Sequence, residues 1–402
     1  MEWPLCQELS DLVVDALVEQ GQILRNAALL SRQTLLRTRY HRFKHVVLRS
    51  SRDYDKFSDL CTISKTVGLF VDSLEIYGSK QDQAATHASV LERLLELVVS
   101  ARVVHFVRIP WGHLSFIGKS KEKRYKFSTV YLRDTVVASY HALASFIEAF
   151  PKLYALALLS VSLGRYDSVS DLQEAGSTSI IPRIRILEFE DCKGILVPLA
   201  NDIAQNSAPL SVRRLRILRI LSVQQASDLN SIKTILEKSG GLVQKLRVGI
   251  IKADTDKLPI FLFPPFVNHL HLSLYDFDVI NETDVLRWWI KCFSCQDIKL
   301  SNIHISLSAY PHYPHLHRIS GLYDIETTLR NPPRLFHLAK KELWSELDKA
   351  LAQIQGLKEF VIRLSTESDK VDLELLTDAI DKGMPRMRDQ GLLEFTTKRG
   401  WR

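Results

Sequence analysis

Cys292 and Cys295 form a C-x-x-C pair, and four histidines follow: His304, His312, His315 and His317. Thiolate and imidazole ligands at such separations can close a tetrahedral zinc site. The context favours a plainer role. In WWIKCFSCQDIKLSNI both cysteines fall where a helix ends ahead of a strand, a place where cysteine serves as a small apolar residue. The tract SAYPHYPHLH is broken by two prolines, so its imidazoles are not preorganised. No metal and no cofactor is expected.

Other chemistry is equally hard to find. There is no G-x-S-x-G elbow, no Walker loop and no H-E-x-x-H helix, so the chain is not expected to be an enzyme. A basic run, Arg32, Arg37, Arg39, Arg42, Lys44, Arg49 and Arg52, could meet phosphates. Asp53, Asp55 and Asp59 follow at once and dilute its field, so it reads as a solvated face and a nucleic-acid partner is not expected.

A subtler set lies in recurring apolar-x-apolar triplets. LEI begins at Leu74, FVRI at Phe106, VYL at Val130, LAL at Leu156, LEF at Leu187, LRI at Leu215, LRV at Leu246, LHL at Leu270, IKL at Ile298 and FVI at Phe360. Side chains alternate along a strand, so the middle residue of each triplet points to the open face of a sheet. The last four of the evenly spaced set are Arg216, Arg247, His271 and Lys299, a basic row suited to an acidic or phosphorylated segment.

The elements that must carry these residues repeat. From Leu74 to Ile298 the triplets recur every 24 to 32 residues, with helix-like stretches such as ASVLERLLELVVS, HALASFIEAF and ETDVLRWWIKCF between them. A strand plus a helix at that period is the pattern of a leucine-rich-repeat solenoid, whose units bury their apolar faces only by stacking. A doubly wound sheet also alternates strand and helix, but no G-x-G-x-x-G follows an early strand, and ten or more strands are many for one open sheet. LHRI at Leu316 and RLFHL at Arg334 are candidates for further strands.

Before the repeats the pattern is helical. Leu9, Leu12, Val13, Ala16 and Leu17 form an i, i+3, i+4, i+7, i+8 stripe. ILRNAALLS follows, then a third helix with Leu35, Leu36, Tyr40 and Phe43. HVVLRS reads as a strand, and Asp53 as the N-cap of the next helix. The 402 residues are 46% hydrophobic and 25% charged with a net charge of +7, ordinary for a globular protein. Glu2, Glu8 and Asp11 interrupt any signal-peptide pattern, and LYALALLSVSL is too short to span a bilayer. Five scattered cysteines fit a reducing compartment, so the expectation is an intracellular protein, cytoplasmic or nuclear, with no membrane association.

LCQELSDLVVDAL, LRNAALLSRQTLL and RYHRFKHVVLRS, with FVNHLHLSLYDFDV and LWSELDKALAQIQGLKEFVIRLS later, resemble the F-box/leucine-rich-repeat proteins of mushroom-forming fungi. The resemblance implies an α/β chain with an F-box-like helical module over residues 1–45 and a degenerate leucine-rich-repeat solenoid over 46–402. It also implies a function. The module would dock the adaptor subunit of an SCF-type (cullin–RING) ubiquitin ligase, and the repeats would hold a protein substrate. Leu5, Glu8 and Leu9 match the family's opening Leu-Pro-x-Glu-Leu, and Val13, Leu17, Leu24 and Leu30 continue its apolar positions. Cys6 replaces the family's proline and Thr34 its tryptophan. The alternative is a repeat scaffold for protein–protein interaction that has lost ligase docking.

Overall fold

The computed structural model describes residues 6–18, 23, 26, 32–78, 84–119, 124–164, 181–251, 253–275, 282–295, 298–308, 340–366 and 373–399. Its contacts divide the chain into two compact units. Unit 1 comprises residues 1–184, 192–195 and 208–211, and unit 2 comprises 185–191, 196–207 and 212–402.

Unit 1 runs α1 (Gln7–Ala16), α2 (Arg32–Phe43), β1 (His45–Leu48), α3 (Ser51–Ile63), α4 (Lys65–Phe70), β2 (Ser73–Tyr77), α5 (Ala84–Leu97) and β3 (Val103–Val107). It continues with α6 (Trp111–Leu114), α7 (Phe116–Lys119), β4 (Thr129–Arg133), β5 (Val136–Val137), α8 (Tyr140–Glu148), β6 (Ala155–Leu159) and β7 (Ser162–Leu163). Strands β1, β2, β3, β4 and β6 pair in parallel and in chain order, while β5 and β7 form a separate parallel pair. Leu74 and Ile76, Val104 and Phe106, and Val130 and Leu132 are fully buried on one face. Glu75, His105 and Tyr131 occupy the other face and are only half-buried.

Three strands of unit 1, β3, β4 and β6, end alike. Arg108, Asp134 and Ser160, each the first residue after its strand, have φ of 55°, 53° and 53°. The turned residues extend the ladder: Arg108 N–H donates to Arg133 O at 2.9 Å and Asp134 N–H to Leu159 O at 2.8 Å. Non-glycine residues rarely occupy this region, so its recurrence marks one structural unit used repeatedly.

Unit 2 runs β8 (Ile186–Glu190), α9 (Leu196–Gln205), β9 (Ile217–Val223), α10 (Ala226–Lys238), β10 (Lys245–Ile251), a 3-10 turn at Thr255–Lys257 and β11 (His269–Tyr275). Then come α11 (Glu282–Ser294), β12 (Asn302–Ser308), α12 (Lys341–Leu351), β13 (Glu359–Thr366), α13 (Leu373–Gly383), α14 (Pro385–Asp389) and β14 (Leu393–Arg399). The seven strands among its described residues are parallel and lie in chain order. Trp288, Trp289 and Trp344 are all buried in its helices, and Trp289 meets Phe261 edge-on with ring centroids 6.3 Å apart. Buried Asp348 on α12 accepts the Arg386 and Met387 N–H groups at 3.2 and 3.0 Å, satisfying the first turn of α14.

Parallel strands that follow chain order, with one half-wetted polar face, define a solenoid-like α/β repeat in each unit. A doubly wound sheet reverses its strand order and covers both faces. Three expected strand positions shift. β3 begins at Val103 rather than Phe106, β9 at Ile217 rather than Leu215, and β12 at Asn302 rather than Ile298. The N-cap of α3 is Ser50, whose Oγ accepts from Asp53 N–H. Asp53 reaches back instead, its carboxylate accepting from Ser50 Oγ at 2.9 Å and Arg49 N–H at 3.1 Å. The triplets at Leu316 and Arg334 lie outside the described residues.

Candidate functional site

Helix α1 packs on α2 through small residues. Ser10 and Val14 are fully buried, as are Thr34 and Thr38 on α2. Asp15 clamps the pair, accepting from Arg37 Nε and Nη2 at 2.7 and 2.8 Å and lying 2.6 Å from His41 Nε2. The Arg37 guanidinium, with a smaller contribution from His41, holds the Asp15 carboxyl down to about 2 against the cost of burial.

The apolar stripe read from the sequence is therefore not the buried side of α1. Leu9, Leu12 and Val13 are 49%, 62% and 42% exposed, and Glu8 and Ala16 are exposed as well. Leu17 is half-buried. Cys6 is exposed, whereas Thr34 is 1% exposed and faces the interior. Leu5, Leu24 and Leu30 lie outside the described residues.

The second surface is the open face of unit 2. Strand pairing places Glu188, Arg219, Arg247, His271, His304, Val361 and Glu394 in one row. Arg247 and His271 are where the triplets put them; Arg216 and Lys299 are not. Arg216 precedes β9, exposed, its backbone N–H bonded to Arg185 O at 2.9 Å, and the row position belongs to Arg219. Lys299 precedes β12, and its expected place is taken by His304. The register carries both corrections: Leu218 pairs with Leu246 and Ile303 with Leu270, so the residues between them align.

This row is less basic than expected. Arg219 Nη1 lies 2.9 Å from Glu188 Oε2 and is neutralised within the face. Burial first, and then the positive charge of Arg247, push the His271 pKa down to about 3, so it is neutral near pH 7. Burial also lowers His269. His269 and His304 meet edge-on with centroids 4.5 Å apart. His304 Nε2 is buried and lies 3.4 Å from Glu359 Oε2, within ion-pair distance but long for a hydrogen bond. The Asn302 side-chain amide donates to Glu359 and is the main cause of that carboxyl's lowered pKa.

A neighbouring row, Ser273, Ser306, Arg363 and Thr396, was not anticipated. Arg247 reaches diagonally into it, with Nε and Nη2 at 3.3 and 3.2 Å from Ser273 Oγ, and His271 Nε2 lies 2.8 Å from Ser306 Oγ. The open face of unit 1 has a different character. His105 stacks on Tyr131 at 4.1 Å, and Tyr77 donates its hydroxyl to Glu75 Oε1 at 2.6 Å.

The cysteine pair is not brought to a metal geometry. Cys292 is buried in α11, its Sγ accepts Phe261 N–H at 3.3 Å, and burial raises its thiol to about 12. Cys295 is exposed. His312, His315 and His317 lie outside the described residues, among which no group of three or more His, Cys, Asp or Glu could hold a metal ion. Among the same residues no helix is long and apolar enough to cross a membrane. Compared with protein-family models and with curated proteins, the chain matches none.

Proposed function

We propose that this chain is the substrate-recognition adaptor of an SCF-type (cullin–RING) ubiquitin ligase. In this reading the exposed stripe of α1 docks the ligase's adaptor subunit and the open sheet faces bind a protein substrate. One observation carries it. α1 is packed through Ser10 and Val14, yet it presents Leu9, Leu12 and Val13 to solvent on a separate stripe. A helix that only closed the end of a repeat core would turn its largest apolar side chains inward. Fully burying such a side chain is worth about 1.5–3 kcal/mol, so covering what remains exposed on three of them contributes about 2–4 kcal/mol to docking.

Thr34 favours the second reading, a repeat scaffold without ligase docking. A buried threonine cannot supply the aromatic anchor that such an interface commonly uses.

Co-purification with the SCF adaptor subunit separates the two. Wild type should form the complex, and a Leu9→Asp, Leu12→Asp variant should lose it while keeping its unfolding midpoint, because both positions are exposed. Absence of a wild-type complex sinks the ligase reading and leaves the scaffold.

A further inference from the structure

Strand β14 is the outermost of the described sheet. β13 pairs along one side of it, and no described strand pairs along the other. Phe360 N–H donates to Leu392 O at 2.9 Å, and the register with β13 runs unbroken from Phe360–Leu393 to Thr366–Arg399. Along a strand each residue turns its N–H and C=O to the same side, and that side alternates from one residue to the next. The backbone of Leu392, Glu394 and Thr396 therefore faces β13. That of Leu393, Phe395 and Thr397 faces outward, unpaired among the described residues. The apolar layer opens at the same place. Phe360, Ile362 and Leu364 on β13 are at most 1% exposed, whereas Leu393 and Phe395, aligned with the first two, are only half-buried, and Thr397 is exposed. Sheet edges left free are usually short, bulged or broken by proline; this one is seven residues long, with neither bulge nor proline.

We propose that β14 is a dimerisation edge whose occupant is the β14 of a second copy of this chain. The order of residues in the strand, LEFTTKR, is what selects a second copy. A two-fold axis perpendicular to the sheet runs the two edges antiparallel, and when centred on Thr396 it sets position 394 of each copy against position 398 of the other. Glu394 then stands opposite a lysine on the wet face, twice, on either side of a Thr396–Thr396 pair. Opposite charges and paired threonines are among the cross-strand combinations that stabilise a sheet. The outward N–H and C=O groups of Phe395 in one copy exchange hydrogen bonds with those of Thr397 in the other, and the half-covered Phe395 ring gains a neighbour. A head-to-tail arrangement, β14 of one copy against β1 of the next, would build an open chain of molecules instead. It fits less well, because β1 is only four residues long and its HVVL offers neither a lysine nor an acid to match. The inference goes beyond both readings above and depends on neither.

The test is sedimentation velocity on the purified full chain over a micromolar dilution series. Wild type should sediment with the mass of two chains. Thr397→Pro removes an N–H that no bond within one copy uses, so it should keep the unfolding midpoint and abolish the dimer. Glu394→Lys and Lys398→Glu should each weaken self-association by about tenfold, because every dimer holds two such pairs. Mixed in equal amounts, these two variants should form a heterodimer as tight as wild type, since each 394–398 pair is then opposite in charge. That mixture keeps the test valid if Thr397→Pro disturbs folding. A monomeric wild type, species that grow beyond the dimer, a dimer indifferent to Thr397→Pro, or charge variants that do not restore one another would each overturn the proposal. Because no ligase component is present, failure here leaves the docking test untouched.

Discussion

The Asp15 clamp offers the sharpest check on how the helical module is held. In Asp15→Asn the side chain keeps its size but loses its charge, so Arg37 Nε and Nη2 lose a carboxylate partner. The depression of the Asp15 carboxyl from 3.8 to about 2 would correspond to about 2.5 kcal/mol at face value. Both side chains are 35% exposed, so solvent screening reduces the expected loss to about 1 kcal/mol. The sign of its pH dependence follows directly. The folded carboxyl titrates below the unfolded one, so between 3.8 and about 2 the unfolded chain binds more protons. The stabilisation is therefore complete above about pH 4 to 5 and fades as pH falls through the folded value. Urea denaturation of wild type and variant, measured from pH 7 down to pH 3, should show a difference of about 1 kcal/mol that narrows at the acid end. Hydrogen exchange at pH 7 should place the effect in α1, with its amides exchanging about fivefold faster. A difference that stays constant from pH 7 to 3, or none at pH 7, would refute the charge-based account. Unchanged exchange in α1 alongside global destabilisation would refute its local placement.

Two further outcomes are expected. Gly249→Ala should cost about 2–3 kcal/mol in urea denaturation, because its Cβ would stand 2.8 Å from Leu221 Cα and collide with the Leu221 carbonyl. Gly112→Ala, with open space around it, should cost nothing, and equal effects would contradict the argument. His105, His269 and His271 all titrate lower in the folded state than the ordinary value of 6.5, with burial the first cause in each. The unfolded chain therefore takes up protons first, and stability should fall as pH drops below about 6.5, by at most about 1.4 kcal/mol per pH unit per histidine. His271→Gln should flatten that slope, and an unchanged slope would show that His271 does not contribute.

The strand–helix period was legible because it depends on burial alone. Most triplets, such as LEI at Leu74 and LHL at Leu270, lie in their strands with their apolar residues inward. The N-terminal helix was legible as a helix but not in its orientation. Leu9, Leu12 and Val13 have the spacing of a packed stripe, and nothing local says that α1 approaches α2 through Ser10 and Val14. That choice belongs to the partner surface, where buried Thr34 and Thr38 admit a close approach. The left-handed residues closing β3, β4 and β6 left no trace either, since Arg108, Asp134 and Ser160 share no side-chain chemistry that demands the conformation.

The site itself turned on a distance of three residues. LRILRI, from Leu215 to Ile220, contains the same triplet twice, and periodicity cannot choose between the copies. Pairing with β8 and β10 selects the second, and the choice changes the chemistry rather than only the numbering. The first copy offers Arg216, an exposed cation ahead of the strand. The second offers Arg219, which Glu188 neutralises across the adjacent strand. A basic row read from single strands counts every cation as available, whereas on a sheet each cation must be set against the residue that register places beside it. By that reckoning Arg247 gains importance, because its cross-strand neighbours are Arg219 and His271 and its guanidinium reaches a hydroxyl. Arg363 stands between Ser306 and Thr396, in a row that no triplet's middle residue marks. The cations that register leaves unmatched in charge therefore emerge only when the strands are laid side by side.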